Sequence, residues 1–285
     1  MAKSELIARQ SRLPTGWLGE IVARVMSLDT ARANELVIER LVAPKTGDAL
    51  LEIGCGHGRT LDRIAREPYG FLAGVDREAG GTWFGVTTAG RWALVTNFRE
   101  GVPRDPAAPS RGELVKRALL DQAMPLASAA AIALDGVRYH GFNILLGNGA
   151  DGAYASNRAS GAIALATGIH GLSNHLLETP WPKVMRSKAR LAAWLASGED
   201  AIEPLFELLA DRTRAEAAAL PSTGVGPDWE RLLSSPFIVD ERYGTRCSTV
   251  LTIAANGRAR FVERSFDPRG EQTSEVSFAF ELRDR

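Results

Sequence analysis

Cysteine is scarce: Cys55 and Cys247 are the only two in the chain. A disulfide framework is excluded as the scaffold, and both residues are expected as free thiols in a reducing, cytoplasmic setting. An excess of either charge is also lacking, since Lys plus Arg and Asp plus Glu both number 34. That balance gives no electrostatic reason to expect nucleic acid or an anionic membrane as partner. Long hydrophobic runs are missing too. The least polar stretch, Ala123 to Leu134, stops at Asp135 and is too short to span a bilayer. The opening Met-Ala-Lys-Ser-Glu has no apolar segment of the signal-peptide kind. Internal repeats and low-complexity tracts are absent, and the clearest loop is Pro103 to Ser110 with its three prolines. What remains is a globular composition, 45% apolar and 24% charged, over 285 residues. That length holds one large domain or two smaller ones.

The first part of the chain reads as a nucleotide-cofactor unit. Ala31 to Val42 carries apolar residues at helical spacing, and Pro44-Lys-Thr-Gly47 ends it. Asp48-Ala-Leu-Leu-Glu-Ile53 is a short apolar run of buried-strand type. Gly54-Cys-Gly-His-Gly58 follows directly, and Arg59 to Arg66 reads as a helix. Phe71-Leu-Ala-Gly-Val75 then reads as a second strand, ending at Asp76 about 20 residues after the glycines. Glycines at such a turn let the backbone approach a cofactor, and an acid at the end of the next strand accepts hydrogen bonds from ribose hydroxyls. The pattern resembles the first motif of class I S-adenosylmethionine-dependent methyltransferases, with Gly54, Gly56, Gly58 and Asp76 as the cofactor-binding positions. The resemblance stops near residue 77, and the later strands of that family have no counterpart.

A different grammar begins at Gly80-Gly-Thr-Trp-Phe. Thr82 to Thr87 and Arg91 to Asn97 read as strands joined at Thr88-Ala-Gly90. Ser110-Arg-Gly-Glu113 has the spacing of a capping box, with a helix continuing over Leu114 to Leu120. Gly147-Asn-Gly149 marks a hairpin between Gly141 to Leu146 and Gly152 to Asn157, and Thr167 to Asn174 reads as strand and turn. Pro182 to Ala196 and Ala201 to Asp211 read as helices. Asn256-Gly257 joins the strands Thr245 to Ala254 and Arg258 to Phe266, and Glu275 to Leu282 alternates as a last strand. Strands, then helices, then strands in antiparallel hairpins predict an α+β layered sandwich. The expected organisation is residues 1–78 as a partial methyltransferase-like nucleotide-binding unit and residues 79–285 as a second domain.

Within that second part, Gly-Gly-Thr-Trp-Phe-Gly-Val, Thr-Asn-Phe-Arg-Glu, Gly-Phe-Asn-Ile-Leu-Leu-Gly, Gly-Ile-His-Gly-Leu-Ser-Asn-His, Thr-Pro-Trp-Pro-Lys-Val and Tyr-Gly-Thr-Arg-Cys-Ser-Thr-Val resemble the NRDE family, that of transport-and-Golgi-organisation protein two. The match runs from about Leu72 to the end. The resemblance implies an N-terminal-nucleophile-hydrolase-like fold, an αββα sandwich, and a link to haem trafficking and to lipid or acyl-CoA metabolism. In such hydrolases the first residue is the nucleophile and side-chain amides stabilise the oxyanion. By resemblance Asn97, Asn174 and Arg246 stand where the amide and guanidinium partners of the catalytic centre would be, and they are expected around one cleft. The family opens with Met-Cys and an Asn-Arg-Asp-Glu motif. This chain opens Met-Ala, so the expectation is a hydrolase-like fold without its nucleophile, retaining a small-molecule ligand. A truncated methyltransferase and a non-catalytic haem or lipid carrier are the alternatives.

Several residues carry weaker signals. Cys55 reads as a small residue of its glycine turn rather than an internal nucleophile, and Cys247 in a strand as a packed thiol. His170 and His175 have no acidic or cysteine partner at metal-ligand spacing, so no metal site is expected. Asn97, Asn157 and Asn174 also read as residues that cap and bond turn backbone, Arg99, Arg158 and Arg246 as partners of carboxylates, and Trp83, Trp92 and Trp181 as core or pocket-wall aromatics. With half of a cofactor pocket encoded, S-adenosylmethionine is expected to bind in the millimolar range or not at all, about −4 kcal/mol at most. Calorimetric titration checks this; micromolar binding that disappears in Asp76→Ala would overturn the truncated-unit reading.

Overall fold

The computed structural model describes residues 71–74, 81–102, 105–149 and 151–282. Gly54, Gly56, Gly58 and Asp76, and with them the glycine-turn reading, lie outside the described residues. The described chain is a mixed α+β body with two antiparallel sheets. The first holds six strands in sequence order: β1 (Phe71–Ala73), β2 (Phe84–Thr87), β3 (Arg91–Asn97), β4 (Phe142–Asn148), β5 (Asp151–Ser156) and β6 (Ala162–Leu165). The second holds β7 (Cys247–Ile253), β8 (Arg258–Phe266) and β9 (Gln272–Glu281). Helices α1 (Gly112–Leu120) and α2 (Pro125–Leu134) lie between β3 and β4 in sequence. Helices α3 (Pro182–Ser197), α4 (Glu203–Leu209) and α5 (Pro227–Leu232) lie between the two sheets in sequence.

β1 corrects the sequence reading. Phe71–Ala73 was expected to close a parallel strand-helix-strand unit, but it pairs antiparallel with β2, Leu72 opposite Val86. It opens the sheet of the body that follows it. The reason the pattern misled is burial on both faces: Phe71 packs towards α1 and α2 while Leu72 packs towards the second sheet. A strand covered on both sides reads as a continuous apolar run whichever way its neighbour points.

The period of two sorts each strand's side chains between layers. Phe142, Ile144 and Leu146 of β4, Ala93 of β3 and Ala153 and Ala155 of β5 join Leu114, Val115, Ala118 and Ile132 of α1 and α2 in one core. The opposite face presents Leu72, Val86, Phe84 and Trp92 to Phe261, Leu251, Phe278 and Phe280 of the second sheet. Phe261 sits against Phe84 with ring centroids 5.7 Å apart. The far face of the second sheet gives Val250 and Val262 to Phe206 of α4 and its neighbours Leu205 and Leu209.

Hairpin chemistry behaves as the sequence requires. Gly257 follows Asn256 with φ +80°, and Arg258 N–H donates to Asn256 Oδ1 at 3.1 Å. Two local expectations fail. Ser110 and Glu113 form no reciprocal cap: Ser110 Oγ accepts from Gly112 N–H at 3.3 Å, while Glu113 pairs with Lys116 on the surface. Thr167–Asn174 contains no strand; it is a loop held by tertiary bonds. The apolar run Ala123 to Leu134 supplies α2, and among the described residues no helix is long and apolar enough to cross a membrane.

One buried cation ties the first helical layer to its sheet. Arg91, at the start of β3 and 3% exposed, donates from Nε to Ala118 O at 2.5 Å, from Nη1 to Ala123 O at 2.8 Å and from Nη2 to Ser128 Oγ at 2.7 Å. Ser128 Oγ in turn donates to Asp121. Thus one side chain satisfies one carbonyl in the last turn of α1 and one in the loop into α2. Arg91→Met would keep the stem and leave those acceptors unpaired in the interior. It is expected to lower stability by about 3 kcal/mol, read as a shift in the urea midpoint at unchanged slope.

Candidate functional site

β3 does not end its work at Asn97. The backbone continues along β4, with Phe98 N–H donating to Gly141 O at 2.9 Å. It then meets the loop before α3: Arg99 N–H donates to Asn174 O at 2.6 Å, and Asn174 Nδ2 donates to Asn97 O at 3.1 Å. That loop is positioned by polar side chains on the sheet face that points away from α1 and α2. Thr96 Oγ1 donates to Ser173 O at 2.8 Å. Asn143 Nδ2 donates to His175 O at 3.0 Å and to Thr96 Oγ1 at 3.2 Å, and Tyr154 OH donates to Asn143 Oδ1 at 2.8 Å. Asn143 is fully buried, so every one of these bonds replaces a lost contact with water.

The extension of β3 lines a cleft of about 310 Å³. Asn97, Arg99, Glu100, Arg111, His140 and Asn174 contribute its polar groups from the ends of the first sheet, the start of α1 and the loop. Trp229, Leu233, Ile238 and Tyr243 contribute apolar surface from α5 and the segment after it, with Trp229 and Tyr243 edge to face at 6.1 Å. The two sides close because Gly101 and Gly224 meet backbone to backbone: a Cβ on Gly101 would stand 2.3 Å from Gly224 O. Gly101 N–H also donates to Thr223 O at 3.0 Å.

Charge inside the site is paired. Arg99 Nη1 donates to Glu230 Oε2 at 2.8 Å, with both side chains more than nine-tenths buried. Glu230 Oε1 accepts from Thr223 N–H at 2.6 Å and Thr223 Oγ1 at 2.7 Å. Burial pushes the Glu230 carboxyl up, but the bonds from Thr223 and Arg99 outweigh it and hold the group below its ordinary range. Glu100 and Arg158 form a two-pronged pair at 2.7 and 2.6 Å, which lowers the Glu100 carboxyl and raises the Arg158 guanidinium.

Behind Arg99 sits Trp181, whose ring centre is 4.7 Å from the guanidinium carbon. Lys183 lies on the same ring at 5.8 Å and donates from Nζ to Leu233 O at 3.0 Å; Arg99 Nη2 donates to the same carbonyl at 3.2 Å. Burial, with the Arg99 charge beside it, pulls the Lys183 ammonium down to about 7.

The structure brings Asn97 and Asn174 together at the cleft but not Arg246. Arg246 is exposed and turned onto the carbonyls of Thr245 and Asp267 at 3.5 and 3.4 Å. It is not among the residues lining the cleft, and its neighbour Thr245 holds the Ile238 N–H through Oγ1 at 3.0 Å. Cys247 is a half-buried thiol pushed up to about 12 by burial and the nearby Glu263, far from the range of a reactive thiolate. His175 stacks between Phe98 and Trp181 at 4.8 and 5.7 Å, and His170 Nε2 lies 2.7 Å from Ala166 O. Among the described residues no three His, Cys, Asp or Glu side chains gather as a metal site. Glu230 and Asn143 were missed by sequence reading. Glu230 lies in the charged helix Pro-Asp-Trp-Glu-Arg-Leu, which reads as a solvated face. Asn143 carried a usable signal, a lone amide inside Phe-Asn-Ile-Leu-Leu.

Glu230→Gln keeps the shape and removes the counter-charge of a buried guanidinium. A loss of about 3 kcal/mol is expected on denaturant unfolding. The native Glu230 carboxyl lies below its ordinary 4.5, so its contribution is present above that pH and is lost as pH falls through the native value. The variant's stability should therefore fall less steeply below pH 4.5 than that of the parent.

The profile of the family described as Transport and Golgi organisation 2 matches residues 59–268. A mouse Transport and Golgi organization 2 homolog is 35% identical over 212 residues, 68% of this chain and 76% of its own length. The Bos taurus homolog is 34% identical over 229 residues, 73% of this chain and 82% of its own. The Homo sapiens homolog is 35% identical over 212 residues, again 68% and 76%. The profile spans the first sheet, β7 and β8, the cleft and the Arg99–Glu230 pair, and the chain belongs to the Transport and Golgi organisation 2 family.

Proposed function

We propose that the chain binds an amphipathic small molecule in the cleft beside Asn97 and Asn174, holding a carbonyl or carboxylate at the polar end and an aliphatic or aromatic body against Trp229 and Tyr243. One observation carries this reading. The charged and amide groups come from the side of the first sheet, with Phe98 and Val102 beside them, and residues 229–243 add Trp229, Leu233, Ile238 and Tyr243, so polar and apolar groups share one opening. Asn174 and Arg111 line that polar end, Asn174 Nδ2 donating to Asn97 O and Arg111 Nη1 to Gly141 O, each at 3.1 Å. The described residues of the lining include no Cys, Ser or Thr, and their single hydroxyl is that of Tyr243. Binding without turnover also fits relatives named for transport and Golgi organisation. A lipid or acyl-CoA-like ligand, as the NRDE resemblance implies, suits the cleft better than haem, because His140 engages the backbone of Asp105 and no cysteine lines the described wall.

The layering proposed is the αββα order of N-terminal-nucleophile hydrolases. Its support is the succession of cores: α1 and α2 against the first sheet, sheet against sheet, and the second sheet against α4. The boundary of this body is proposed before Phe71 rather than at residue 78, since β1 belongs to its sheet.

Titration with decanoate is expected to quench tryptophan fluorescence saturably, with decanol binding about tenfold more weakly, a difference of about 1.4 kcal/mol. Asn174→Ala and Trp229→Ala should each weaken decanoate by a similar factor. Unsaturable quenching, or equal quenching in both variants, defeats the assignment of the cleft. Hydrolysis of a thioester that Asn174→Ala abolishes would show a nucleophile and overturn binding without turnover.

A further inference from the structure

The last strand, β9, is ten residues long and pairs with β8 along one edge. Among the described residues no strand takes its other edge, so its outward N–H and C=O groups form an open row. The usual devices that keep such an edge solitary are lacking. The strand holds no lysine, arginine or proline. Its one irregularity, the register shift at Ser265/Phe266, lies at its start, and from Ser274 to Glu281 the ladder is regular. Glu275 is not a free charge, since Arg264 binds it at 2.7 Å while also holding Glu203 at 2.7 Å.

Alternation gives the edge two faces. Val276, Phe278 and Phe280 share the face towards the first sheet, where the two aromatics are half-buried and Val276 is 37% exposed. Glu275, Ser277 and Ala279 stand exposed on the other face, while α4 packs on Val250 and Val262 of β7 and β8.

We propose that two copies of this chain form a symmetric dimer in which their β9 edges pair antiparallel about a twofold axis at Ser277, joining two three-stranded sheets into one of six. An axis normal to the sheet keeps each face on its own side, so an edge residue meets only residues of its own face. Charge and shape then select the register. With the axis at Ser277, Val276 stands opposite Phe278 of the partner subunit, an aliphatic–aromatic pair of the stabilising kind, and Glu275 stands opposite the partner's Ala279. With the axis one residue later, Glu275 would face the partner's Glu281, and like charges directly opposite are destabilising. One residue earlier, Phe280 would face the partner's Gln272, across the irregular end of the strand. The formal net charge of the chain is +0, so no long-range repulsion opposes two copies. A strand-to-strand interface is small, so the dimer is expected to dissociate on dilution.

The test uses the full chain. Sedimentation velocity over a concentration series of about three decades should show a monomer–dimer equilibrium. Ser277→Lys, at an exposed position, sets two ammoniums against each other at the axis. It should raise the dissociation constant at least about tenfold with an unchanged circular dichroism spectrum. Ser277→Cys should give a disulfide-linked dimer under mild oxidation, mapped by mass spectrometry to position 277 of both copies. Residues facing each other across an antiparallel pair lie about 4.5–5.5 Å apart between Cα atoms, within reach of that bond. Ser274→Cys, which meets Phe280 of the partner subunit instead, should crosslink at least about tenfold more slowly. A monomer at every concentration overturns the inference; if its β9 amides are protected from hydrogen exchange, another segment of the chain holds the edge. A dimer indifferent to Ser277→Lys, or Ser274→Cys crosslinking as fast as Ser277→Cys, would overturn it as well.

Discussion

The Arg99–Glu230 ion pair is the contact on which the site depends. A guanidinium taken out of water must find acceptors in every direction, and Arg99 finds them on separate segments: Glu230 and Leu233 at α5 and the Trp181 ring at the head of α3. Its own backbone N–H meets Asn174. The end of β3, the loop before α3 and the helix α5 are thereby drawn to one point. An isolated buried pair contributes little net stability compared with apolar packing, but removing one partner is costly, so such a pair specifies geometry more than it adds stability. Lys183 lies beside the same guanidinium, and burial together with that charge pulls its ammonium down to about 7.

The sheets give this pair a rigid support. Period-two alternation sends one set of side chains towards α1 and α2 and the other towards the second sheet, so each strand of the centre is buried on both faces. Arg91 and Arg99 bracket β3. The first fastens the helical layer at one end of the strand, and the second fastens the cleft at the other. Both arginines act through carbonyls as much as through carboxylates, which suits positions where several orphan acceptors converge. Cleft and amine cluster meet at Leu233, whose carbonyl accepts both cations while the residue itself lines the first opening.

Much of the strand pattern was legible beforehand because alternation and turn residues are local properties. Arg258–Phe266 and the Asn256-Gly257 turn were read as they stand, and Pro182–Ser197 differs from its expected span by one residue. The errors share one cause, tertiary partners that no local window contains. β1 has an apolar run equally suited to parallel or antiparallel pairing. Ser110 has the residue types of a cap, but its hydroxyl and Glu113 take other partners. Thr167–Asn174 looks extended, yet its Ser173 and Asn174 carbonyls are claimed by the Thr96 hydroxyl and the Arg99 backbone N–H. Arg246 shares a recognisable motif with its surroundings, and its exposed guanidinium lies on the Thr245 and Asp267 carbonyls.

The sequence by itself determined the antiparallel hairpins, the absence of a disulfide scaffold and the family, through motifs spread from Gly80 to Val250. It also marked Asn97 and Asn174, because amides in dense motifs are unusual enough to single out. Only the tertiary structure decided which charges are paired and which group yields its proton. Glu230 is separated from Arg99 by 131 positions, and nothing near either residue in sequence names the other. Burial, not residue type, turns that pair into a fixed element and Lys183 into an amine titrating near 7. Desolvation is a property of the assembled layers, and it acts on a side chain only after distant segments have closed around it.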